Sequence, residues 1–123
     1  MFDHVSIKTN NYSRSRDWYK TTLASLEYKV LYEEENILCG FGSDRPQFWV
    51  ALADDEYPET HSVHISFEAP DRKIVDNFYK TALEAGGKDN GASGIRNEYA
   101  ENYYGAFVLD PDGNNIEAVT FNE

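Results

Sequence analysis

The chain repeats itself, and that repeat constrains its fold more than any other feature. His4-Val5-Ser6-Ile7-Lys8-Thr9 is matched by His64-Ile65-Ser66-Phe67-Glu68-Ala69, and Trp18-Tyr19-Lys20-Thr21-Thr22-Leu23 by Phe78-Tyr79-Lys80-Thr81-Ala82-Leu83. Both matches hold one offset, since 64 − 4 and 79 − 19 are each 60. His, Ser, Tyr, Lys, Thr and Leu recur identically, and the Val/Ile, Ile/Phe and Trp/Phe exchanges keep apolar character. Register kept over so long a window marks a duplicated supersecondary unit, so both halves must fold alike. With 123 residues in all, neither half can bury an adequate core alone, and the copies are expected to share one domain. The expected division is module one over about 1–53, a polar connector over about 54–60, and module two over about 61–123.

Each copy opens with a strand of period two, Val5 and Ile7 against His4, Ser6 and Lys8, then Val63, Ile65 and Phe67 against His64, Ser66 and Glu68. A helix follows in each. The second is announced by Pro70 and Asp71, carries the stripe Ile74, Val75, Phe78, Tyr79, Ala82 and Leu83, and ends at Gly86-Gly87. The first is capped by Asn10 or Asn11 and buries Trp18, Tyr19, Leu23 and Leu26. Strands are expected at Tyr28–Tyr32, Ile37–Phe41 and Phe48–Leu52, then at Tyr103–Leu109 and Ile116–Phe121. Asp110-Pro111-Asp112-Gly113 joins the last two as a hairpin turn. Asp89–Glu98 is rich in glycine and is expected to be a functional rim rather than a strand.

The net charge of −11 repels phosphate backbones and anionic lipid, so neither nucleic acid nor membrane is an expected partner. Cys39, the one cysteine, lies in an apolar run and is expected to be a buried, inert thiol. The N-terminus shows neither a basic segment followed by an apolar one nor a bilayer-length apolar run, and the expected compartment is the cytoplasm.

The repeat places His4 and His64 at equivalent points on the face turned away from the helices. Were the two first strands side by side, these residues would face each other at roughly 4.5–5.5 Å between Cβ atoms. Two imidazoles at that spacing can share an ion about 2.0–2.1 Å from each nitrogen. Glu117 stands between Ile116 and Ala118, which calls for a polar or metal-lined face. His4, His64 and Glu117 are therefore the expected metal ligands, with Glu117 also the expected catalytic residue. Two imidazoles and one carboxylate suit Zn, Mn, Ni or Fe and leave positions open for substrate or water. His61 falls on the opposite face or in the connector and is set aside.

Asp3-His4-Val5, Val63-His64-Ile65 and Phe107-Val108-Leu109-Asp110-Pro111-Asp112-Gly113-Asn114-Asn115-Ile116-Glu117-Ala118 together resemble the vicinal oxygen chelate superfamily, the group of glyoxalases, bleomycin-resistance proteins and extradiol dioxygenases. The likeness spans nearly the whole chain. It implies an α+β domain of tandem βαβββ modules, whose strands form a curled mixed sheet around a cavity with helices on the outer face. It also implies a homodimer and metal ligands at His4, His64 and Glu117. Alignment of Gln47-Phe48-Trp49-Val50 with Asn115-Ile116-Glu117-Ala118 puts Trp49 where glyoxalase I-like members carry a fourth ligand. A tryptophan cannot bind the ion. Three protein ligands look more like fosfomycin-resistance transferases or extradiol dioxygenases, although no further acid-base histidine can be assigned.

Gly94–Tyr99 and Tyr103-Tyr104-Gly105 resemble a loop of small lactoylglutathione-lyase-like members. Arg96 is suited to clamp an anionic group, Tyr99 and Tyr103 to bond or stack on it, Trp49 to form an apolar wall, and Gln47 to act as a weak substitute ligand. The expected function is a divalent-metal-dependent enzyme acting on a small oxygen-rich substrate, as lyase, transferase or dioxygenase. The alternatives are a metal-free binding or sequestration protein of the bleomycin-resistance type, and a structural relative without either function.

Overall fold

The computed structural model describes residues Met1–Glu123 throughout. It consists of two units of identical topology: β1 (Val5–Thr9), α1 (Tyr12–Ala24), β2 (Lys29–Glu34), β3 (Leu38–Gly42) and β4 (Phe48–Leu52), then β5 (His64–Glu68), α2 (Arg72–Glu84), β6 (Lys88–Ile95), β7 (Tyr104–Leu109) and β8 (Asn115–Thr120). The strands divide into two open mixed sheets of four, ordered β1-β4-β3-β2 and β5-β8-β7-β6. In each, the first strand runs parallel to the fourth and the remaining pairs are antiparallel. β1 and β5 are edges. They do not lie side by side as the repeat suggested, because each finds its hydrogen-bonding partner inside its own module.

Both helix starts follow from their caps. The Asn11 side chain accepts from the Arg14 N–H at 3.2 Å, which decides between the two asparagines, and Asp71 accepts from Ile74 at 2.9 Å. Each helix packs on its own sheet and the two helices meet, so one continuous core serves both modules. Trp18 is the joint. Its indole N–H donates to the Ala82 carbonyl of α2 at 3.1 Å, and its ring stands edge-on to Tyr19 at 4.8 Å. Tyr19 continues to Phe48 at 5.0 Å, and Phe48 to Phe67 of the second sheet at 5.4 Å.

The hairpin turn of module two also docks on α1. The buried Tyr19 hydroxyl donates to Asp110, while Arg14 and Ser15 donate to Asp112 at 2.6 and 3.1 Å. Gly113 closes that turn at a φ of 88°, with open space where a Cβ would stand. Gly113→Ala should therefore cost about 1–2 kcal/mol through backbone conformation alone, read as a lower urea midpoint with an unchanged slope.

Lys88–Ile95 is a strand, which corrects the expectation of a loop over Asp89–Glu98. β6 is an edge with two register shifts against β7, at Asp89/Gly91 and Gly91/Gly94, and such irregular pairing erases the alternation that betrays a strand. Cys39 is fully buried, and burial pushes its thiol up to about 11, so it stays protonated at neutral pH. No helix is long and apolar enough to cross a membrane.

Candidate functional site

In β8, Ile116 and Ala118 point into the core and Asn115 and Glu117 point the other way, onto the sheet face that no helix covers. Glu117 is nonetheless 0% exposed. Its carboxylate is roofed by two side chains. His64, on the neighbouring β5, brings Nε2 to 2.9 Å from Oε1, and the Tyr103 hydroxyl donates to Oε2. Gly105 makes the arrangement possible, since a Cβ there would lie 3.0 Å from both Oε2 and the Tyr103 ring. Burial, and then the hydrogen bond to Glu117, raise the Tyr103 phenol well above its ordinary value. It therefore remains a proton donor toward the carboxylate at neutral pH.

A cavity of about 700 Å³ opens beside this corner, lined by His64, Asn90, Gly91, Arg96, Tyr99, Tyr103, Phe107 and Asn115. Arg96 lies over the Phe107 ring at 5.4 Å and donates from Nη2 to the Ala92 carbonyl at 2.6 Å. No carboxylate pairs with it. The guanidinium fits because Gly91 and Gly94 lack side chains, their Cβ positions being only 3.3 and 3.1 Å from its nitrogens. The buried Asn115 Oδ1 also has no hydrogen-bond partner. The guanidinium, free of acid, is available to a ligand, and a buried polar atom left unsatisfied is costly unless a ligand uses it. Tyr99 stands edge-on to Tyr103 at 5.2 Å, and Tyr103 to Phe121 at 5.4 Å.

Of the expected residues, then, the structure gathers His64, Glu117, Arg96, Tyr99 and Tyr103 in one place. His4 and Trp49 belong to the uncovered face of the first sheet. The His4 ring lies 2.8 Å from the Asp3 carboxylate, which also takes Arg45 at 3.0 Å. Gln47 lines a third cavity, of about 420 Å³, in the seam between β4 and β5. Asn90, Phe107 and Asn115 were not among the expected site residues, although Asn90 lies in the expected rim and the other two in the C-terminal motif. Asn115 was accessible to parity, being two residues from Glu117 on the same strand face.

No three His, Cys, Asp or Glu side chains of the single chain form a group able to hold a metal ion. The convergence of His4 on His64 and Glu117 therefore does not occur within one chain. His64 and Glu117 do suit an ion. Two donors at right angles, each about 2.1 Å from a metal, stand about 3.0 Å apart, and Nε2 and Oε1 are separated by 2.9 Å. Imidazole and carboxylate are also the donor types that divalent transition metals accept.

The Glyoxalase/Bleomycin resistance protein/Dioxygenase superfamily model matches residues 1–118. Among solved structures, a glyoxalase/bleomycin resistance protein from Albidiferax ferrireducens is similar at 25% identity, with 97% of each chain covered and a TM-score of 0.82. A glyoxalase/bleomycin resistance protein/dioxygenase family enzyme from Burkholderia phytofirmans follows at 16% identity, 98% of each chain and a TM-score of 0.77. A lactoylglutathione lyase from Agrobacterium tumefaciens is similar at 18% identity, covering 97% of this chain and 92% of that one, with a TM-score of 0.69. No curated protein matches the sequence.

Proposed function

The chain belongs to the Glyoxalase/Bleomycin resistance protein/Dioxygenase superfamily, and from that membership we propose a divalent-metal-dependent enzyme for a small, oxygen-rich, anionic substrate, active as a homodimer. The observation that carries the reading is the buried Glu117 carboxylate held against His64 at the edge of an open cavity. Burying such a group costs desolvation, and an ion shared with His64 would offset that cost.

His64 and Glu117 of one copy hold the ion, with His4 of a second copy as the third ligand. Two features support that division. His4 is half-exposed just before β1, and β5 presents an unpaired strand edge, and β1 one bonded at Lys8 by Thr60, on which a second chain can dock. The ion, whether Zn, Mn, Ni or Fe, would chelate neighbouring oxygens and stabilise negative charge as it develops. Arg96 clamps the anionic group of the substrate, and the Asn115 amide meets a polar group beside it. Tyr103 fixes Oε2 of Glu117, which leaves Oε1 to face His64, and Glu117 is the proton acceptor of the site. Tyr99 and Phe107 screen the cavity from water.

Metal analysis of chain purified without added metal, set beside His64→Ala, tests the reading. Occupancy should fall at least about tenfold in the variant, in line with the loss of a ligand. Equal metal content in both would overturn it.

A further inference from the structure

The two modules share one register, and one cross-strand slot is filled differently in each. Ser6 pairs with Trp49 as Ser66 pairs with Glu117. On the other side of the slot, Gly40 opposes Trp49 where Phe107 opposes Glu117. The bulky ring has changed strands. In module two it stands on β7 beside the carboxylate, and in module one it stands on β4 above a glycine.

That exchange seats the indole over the glycine. A Cβ on Gly40 would come within 2.7 and 2.8 Å of two atoms of the six-membered ring of Trp49, and within 2.9 Å of Pro46. The ring thus rests on Gly40 and Pro46, and its remaining surface lines the cavity on the uncovered sheet face. Tyr32 stands edge-on to it at 6.0 Å and closes one side. Across the same cavity of about 520 Å³ lies Lys8, whose ammonium has no carboxylate partner and sits 5.4 Å from the Tyr57 ring centre. Asp3 lines the cavity too, but its carboxylate is engaged by His4 and Arg45, and in a chain of net charge −11 a lysine free of acid beside a supported indole is a place for an anion with a flat body.

We propose that the outward face of the first sheet is a binding platform for a planar aromatic anion, whose ring stacks on Trp49 and whose charge meets Lys8. The inference goes beyond the metal reading, since neither Trp49 nor Lys8 is a donor to the ion. Under the two-copy arrangement the platform also lines the substrate cavity, and it then selects substrates that carry a ring.

The test is calorimetric titration of the whole protein, in excess chelator, with 2-naphthoate and with its saturated counterpart decahydro-2-naphthoate. The flat acid should bind about tenfold more tightly, the worth of a stacked ring beyond its buried area. Trp49→Ala should erase that preference and Trp49→Phe retain part of it. Gly40→Ala, which intrudes on the indole from below, should weaken it, and Lys8→Gln should weaken both acids alike. Circular dichroism confirms that each variant is folded. Equal affinity for the two acids, or a preference that survives Trp49→Ala, overturns the platform. So does a Trp49→Ala protein that turns from dimer to monomer, because the indole is then covered by a second copy. Binding in chelator is independent of metal content, so failure of one reading leaves the other standing.

Discussion

Mixing His4→Ala chains with Glu117→Ala chains should restore metal binding that neither variant shows alone. Each variant lacks one donor at every site of its own dimer. In a dimer of twofold symmetry that contains one chain of each kind, one composite site loses both His4 and Glu117 while the other keeps all three donors. With random exchange of subunits, about a quarter of all sites become intact. Affinity measured by calorimetry should fall by more than about 100-fold in each variant, beyond the usual effect of an outer-shell change, and the mixture should regain a minority class of tight sites. A mixture as inert as its parents would mean that His4 and Glu117 do not serve one ion across two copies. Activity is not needed for the readout, so the outcome does not depend on which substrate is used.

Trp18→Ala should be the most damaging single truncation for stability, at about 3–5 kcal/mol. The indole is 2% exposed and belongs to both modules at once. Its loss leaves a cavity against Tyr19 and removes one of the two N–H groups that the Ala82 carbonyl accepts, the other being that of Gly87. A domain of this size has about 5–15 kcal/mol in total, so the urea midpoint should drop by about a fifth or more. Circular dichroism and Trp49 fluorescence should still report one transition, because the core is shared rather than divided. Two separated transitions would show that each half folds by itself, against the joint described above.

The tandem βαβββ order was legible in the sequence because duplication and period-two alternation are local signals, and the hairpin at Asp110–Gly113 because proline and glycine dictate its torsions. Phe48–Leu52 is a strand with the expected bounds, and the other strands shift at their ends by a residue or two. The strand at Lys88–Ile95 was not legible, since an edge strand with glycines and register shifts has no apolar face to alternate. The site was legible in part. Isolation of Glu117 between two core residues marked it as a candidate, and the strand pairing of β5 with β8 delivers His64 to it. The place of His4 depends on which edges meet, and nothing in a strand's own composition specifies the neighbour of an unpaired edge. Tyr103, expected to serve a ligand, lines the cavity and also donates to Glu117. The Gly105 that admits both groups would have been the clue, had its role been read as room for a carboxylate.

The change of strand by one aromatic ring also fixes a stoichiometry. A duplicated protein starts with two equivalent corners, and here only one retains an acid, because Trp49 has taken the position of Glu117 in the other. Each polypeptide can thus offer one carboxylate-bearing corner and no more. Saturation with a divalent ion should stop at a single equivalent per chain, and the first half of the gene is free to diverge toward recognising whatever is brought to it.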